Sequence, residues 1–206
     1  MRRSLVQAHR TLAAFLLVFI AVHFATHFAA TQSIAAQAST RQSASAIYHF
    51  PLVEIALVAA FLAQVLLGIR LLRDIAKRKR KDVWHRLQFW SGVYLALFII
   101  NHTASAVITR LLIGIDTNFY WAAGTLVLTP LKYGFAPYYI LAVSALIAHL
   151  LAALHYRRPA RWHAPALAIG PLIGCVFVAA YGGSLYEVEL PQDYLEYFAD
   201  FPGVGI

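Results

Sequence analysis

A chain of 206 residues that is 61% hydrophobic and 13% charged, with a mean hydropathy of +0.65, has too little polar material to surround a water-soluble core of its own size. Lipid must form much of its outer shell. The excess of 17 Lys and Arg over nine Asp and Glu would suggest nucleic acid in a soluble protein. Here the cations fall between apolar runs and read as topology signals, so no nucleic-acid partner is expected. The single cysteine, Cys175, excludes an intramolecular disulfide, a CxxC redox pair and a thiolate metal cluster.

A hydrocarbon layer ~30 Å thick takes about 20 mostly apolar residues of helix to cross, because unpaired backbone groups are costly there. Five segments meet that need, at about residues 11–30, 51–72, 87–113, 137–156 and 165–181. The expected fold is an all-α integral membrane bundle over residues 1–183, followed by a tail, 184–206, in which acids alternate with aromatic side chains. This tail would lie on the outer surface or meet a partner. Residues 114–133 hold Asp116, Asn118, Pro130 and Lys132 and predict an interfacial loop or short surface helix, with Tyr120 and Trp121 suited to the headgroup belt.

Fourteen cations fall on one side of this arrangement: Arg2, Arg3 and Arg10, then Arg70, Arg73, the run from Lys77 to Lys81 and Arg86, then Arg157, Arg158 and Arg161. The other side has Arg41, Arg110 and Lys132, together with five tail acids. The positive-inside rule puts the N-terminus in the cytoplasm and the C-terminus outside, as in a multi-pass protein of a bacterial inner membrane. The basic-then-apolar start resembles a signal peptide, but His23 and His27 within the apolar run favour a retained helix.

The first and third segments share a plan. HRTLAAFLLVFIAVHFATHFAA and HRLQFWSGVYLALFIINHTASA each open on His-Arg, which pairs His9 with His85 and His27 with His102. The second and fourth segments align so that Gln64 falls opposite His149. From Arg10 to His27 is roughly 26 Å of helix and from Arg86 to His102 roughly 24 Å, so both imidazoles reach one level in the outer half. Gln64 and His149 form a second level roughly 9–12 Å from the inner end.

A histidine inside a membrane helix is costly enough to suggest function, although a single one can serve as a hydrogen-bonded packing residue. Histidines at equal depth on separate helices suit bis-imidazole ligation of a haem iron. The pattern predicts one haem b held by His102 and by His27 or His23, which lie one turn apart, with His149 as a further candidate. No compact ligand cluster within one helix favours zinc or copper.

These residues carry a family resemblance. HRLQFWSGVYLALFIINH and AQVLLGIRLLRD resemble helices of the cytochrome b membrane-anchor subunits of succinate dehydrogenases and fumarate reductases. The resemblance spans roughly residues 10–156. It implies electron transfer between cytoplasmic flavoprotein and iron–sulfur subunits and a membrane quinone. It also implies a quinone headgroup at the cytoplasmic edge near His85, Arg86 and Ser91, and docking or lipid contact through the basic connection. Where the family carries an axial histidine before Gly-Ile-Arg, this chain has Gln64, which puts a second haem in doubt. Glu54, near the outer end of the second segment with His49, suits either snorkelling or proton entry. The chain has no dinucleotide fingerprint, so dehydrogenase chemistry would belong to other subunits. Two other classes remain: a haem-bearing membrane sensor that anchors a signalling partner, and a haem-free scaffold subunit.

The charge count makes a direct prediction. A reporter active only outside the cytoplasm is expected to be active when fused after Ile206 and silent when inserted near Lys79. The reverse pattern would overturn the assigned orientation.

Overall fold

The computed structural model describes residues 2–77 and 82–205. Arg78, Lys79, Arg80 and Lys81, central to the expected basic connection, lie outside the described residues, as do Met1 and Ile206. The described residues are helical, and five helices are long and apolar enough to cross a membrane: Arg3–Ala29, Pro51–Ala76, Val83–Ile113, Leu131–His155 and His163–Tyr181. Side chains such as Phe15, Val18, Leu62, Leu66, Leu97 and Leu172 are exposed on them, as faces meeting lipid require.

In chain order these spans are α1 (Arg2–Ala29), α3 (Pro51–Ala76), α4 (Val83–Ile108) with a π-helical turn Thr109–Ile113, α6 (Leu131–His155), and the pair α7 (His163–Ala166) and α8 (Ile169–Tyr181). Each of the five falls on an expected segment and extends beyond it at one end. Asp82 starts α4 early by accepting from the His85 backbone N–H at 2.7 Å, which satisfies one of the unpaired donors of a helix start. The α6 helix begins six residues before Pro137, which it carries inside. The π turn ends at Gly114, whose φ of 85° closes the helix in the left-handed region.

Among the described residues, three further helices lie outside the spans. The first connection is a 15-residue helix, α2 (Ile34–Tyr48), capped by Ser33. Within residues 114–133, Asp116, Pro130 and Tyr133 are exposed, but the helical part is not a surface helix. Their helix α5 (Phe119–Val127) buries Phe119, Ala123 and Leu126 against Ala30, Ala180 and Tyr181, because its apolar side chains cap the end of the bundle. The tail forms α9 (Gln192–Ala199), which buries Tyr194 and Phe198. The Tyr194 hydroxyl donates to the Asp116 carbonyl at 2.8 Å, and Gly124 leaves room for the Phe198 ring.

Packing runs from α1 to α3, α4, α6 and α8 in turn. The ring is closed by aromatic contacts between α1 and α8, with Phe24 and Phe28 at 5.3 and 4.9 Å from Phe177. The seam between α6 and α8 is the tightest. A Cβ on Gly170 would lie 2.7 Å from the Ser144 Cα, and one on Gly174 would lie 2.8 Å from the Ile140 Cα. Small residues four apart let backbones touch where lipid offers no hydrophobic drive between helices. Gly174→Val is therefore expected to cost about 1–3 kcal/mol, read as a lower unfolding midpoint in detergent. Gly134→Ala, where no heavy atom lies within 4 Å, should not lower it.

Candidate cofactor cavity

The ring of spans encloses a cavity of about 920 Å³, large for a small-molecule site. Its walls are mostly apolar, including Ile20, Val58, Phe61, Ile99 and Val143, and its polar groups gather at three levels.

The middle level holds His23 and His27 of α1 and His102 of α4. His23 and His27 touch through their Nε2 atoms at 3.0 Å. The His23 and His102 rings are 6.1 Å apart, centre to centre. His102 stacks on Phe98 at 5.0 Å and lies 6.5 Å from Trp121. His27 Nδ1 lies 2.8 Å from the Tyr181 hydroxyl, with Gln37 close to that hydroxyl. His27 thus bridges Tyr181 and His23, one ring nitrogen donating and the other accepting. The level expected from the two arginines is thus shared by His23, His27 and His102.

The inner level differs from its expected composition. Gln64 does not stand alone opposite His149: its Nε2 lies 3.4 Å from His9 Nε2. His9, expected at the cytoplasmic edge as the counterpart of His85, lines the cavity. Both His9 Nδ1 and Gln64 Oε1 are buried without partners. His149 Nδ1 lies 3.1 Å from Ser91 Oγ. Glycines face both rings: a Cβ on Gly68 would come within 3.6 Å of His9 and one on Gly92 within 3.2 Å of His149. The sequence did contain a signal for His9. It precedes His27 by 18 residues, five full turns, which places both on one helix face.

The quinone-edge candidates do not form one group. His85 is buried at the start of α4, Arg86 is exposed, and Ser91 is turned to His149. None of the three lines the cavity.

The third level is the mouth at the far end. Arg110, on the π turn, pairs with Glu54. Arg41 of α2 makes a two-pronged contact with Asp116 at 3.2 and 2.7 Å. Burial and then the Arg110 charge hold the His49 imidazole below its ordinary pKa, with Glu54 partly opposing them. Neither Glu54 nor Arg110 is free to snorkel independently.

Among the described residues, no group of three or more His, Cys, Asp or Glu converges to hold a bare metal ion. The middle-level imidazoles instead approach from two helices with space around them. The chain matches no family model, no curated protein and no solved structure.

The Tyr181–His27 contact yields a prediction of its own. Tyr181→Phe leaves His27 Nδ1 without its buried partner, an expected loss of about 1–3 kcal/mol, checked by thermal unfolding in detergent. An unchanged midpoint would show that the contact contributes nothing to stability.

Proposed function

We propose that this chain is a haem b membrane subunit that passes electrons between a cytoplasmic flavin and iron–sulfur partner and a membrane quinone. The observation that carries the haem is the pair His23 and His102, on two helices with ring centres 6.1 Å apart. Two imidazoles bound to one metal at about 2.0–2.1 Å per nitrogen have centres at about this separation. Haem would supply a one-electron carrier in the middle of the bundle.

The chain's own residues do the rest. His23 and His102 would hold the iron, and the Phe98 stack limits rotation of the His102 ring. The separation favours His23 over His27 as the partner of His102. A ligating His23 would donate its Nε2–H to His27 Nε2 at 3.0 Å and keep Nδ1 for the iron, and His27, 2.8 Å from the Tyr181 hydroxyl, would thereby orient the ring. Apolar walls keep water from the site, which favours retention of a large hydrophobic group.

The inner level extends the reading to a second haem. His9 and His149 both line the inner cavity, so the imidazole that Gln64 does not provide would come from α1. The orphaned His9 Nδ1 and the side-chain-free surfaces of Gly68 and Gly92 support a large planar group at this level. The flavin and iron–sulfur partner and the quinone rest on the resemblance of the α3 and α4 segments.

The test is a reduced-minus-oxidised spectrum with haem stoichiometry, taken on protein isolated with its partners and ample haem supply. Wild type should show low-spin b-type haem. His23→Ala and His102→Ala should remove the middle haem, and His149→Ala should leave it while lowering the stoichiometry. Loss on His27→Ala with retention on His23→Ala would exchange the two α1 roles. A wild type without haem would leave the scaffold reading in its place.

A further inference from the structure

From the mouth of the cavity we infer that Arg41 and Arg110 form a carboxylate clamp that receives the two propionates of the middle haem and points them away from the basic end. The inference rests on the haem reading above and adds the orientation of the group and the residues that select it.

Imidazoles projecting from membrane helices meet an iron from the side, so the porphyrin plane stands along the bundle axis. Its two carboxylates must then leave toward one end. Toward the inner level the walls between His23 and His9 are apolar, with Leu16, Leu17 and Ile20 on α1 and Phe61 on α3. A carboxylate there would be charged and without a partner, which is costly inside a membrane.

Toward the other end the wall changes character. Arg110 stands eight residues beyond His102, about 12 Å along the helix axis, and lines the cavity with Arg41 and His49. The π turn that carries Arg110 is the kind of helix irregularity often found at functional sites.

Both guanidinium groups already hold carboxylates. Arg110 pairs with Glu54 and Arg41 with Asp116, so the mouth has demonstrable carboxylate-binding geometry. Neither arginine is used up by these pairs. A guanidinium has five N–H donors. The Arg41 Nε–H is buried with no acceptor, a donor that a charged acceptor entering the cavity would satisfy. The Asp116 side chain is 47% exposed and can return to water if Arg41 turns inward. Glu54, Asp116, His49 and the Tyr48 hydroxyl also stand at the mouth. The two acids compete with an incoming carboxylate for the arginines.

The opposing roles of arginine and acid separate a clamp from a structural ion pair. The full chain, isolated with its partners, is compared as wild type, Arg41→Gln, Arg110→Gln, Asp116→Asn and Glu54→Gln. Release of haem to excess apomyoglobin is followed by absorbance. The clamp predicts release about tenfold faster in each arginine variant, the loss of one charge-assisted hydrogen bond. It predicts release no faster than wild type in the acid variants. Equal acceleration in both partners of a pair would overturn the clamp and leave only the ion pairs.

A second measurement keeps the inference testable if an arginine variant does not fold. Apoprotein of the wild type is titrated with haem and with haem dimethyl ester, which lacks the charges. Tighter binding of the free acid by about tenfold or more supports the clamp, and equal binding overturns it. A wild type that binds neither porphyrin overturns the haem reading itself, whereas binding both equally overturns only the clamp.

Discussion

A polar side chain within a bilayer must find a partner inside the protein, because the surrounding lipid offers none. Here that constraint shapes the whole bundle. His9, His23 and His27 of α1, Gln64 of α3, His102 of α4 and His149 of α6 turn to a common centre. Five helices arranged around that centre leave more space than their side chains fill. The consequence is a ring around a cavity instead of a solid core.

The ring holds because its seams differ in kind. Gly170 and Gly174 bring α8 against the backbone of α6, so these helices form a close pair. On the opposite side of α8, contact with α1 is made by Phe177 reaching Phe24, His27 and Phe28. Bulky rings keep those two backbones apart. A tight seam next to a wide one opens space beside His27, and Tyr181 uses it to reach the imidazole.

The end opposite the basic loops carries most of the non-membrane structure. The α2 helix brings Gln37 and Arg41 over the cavity, α5 plugs the bundle with Phe119 and Ala123, and α9 covers α5 with Phe198. Arg41 and Asp116 join α2 to the segment before α5, and Arg110 and Glu54 join the ends of α4 and α3. The same ion pairs that tie the connections together thus present cations to the cavity.

The sequence by itself determined the five spans, because twenty apolar residues in a row have few alternatives in a bilayer, and hydropathy reads that directly. It also determined the shared level of His27 and His102, since helix rise converts residue count into depth. It did not reveal which rings meet. That His9 joins Gln64, that Ser91 turns to His149 and that Tyr181 holds His27 depend on the rotation and spacing of neighbouring helices, which only their packing decides. The connections were least legible. The α2, α5 and α9 helices are too short to read as spans, α2 and α9 are of mixed polarity, and the apolar α5 is flanked by Asp116, Asn118, Pro130 and Lys132. Only the shape of the bundle end that they cover made α5 buried and α9 its lid.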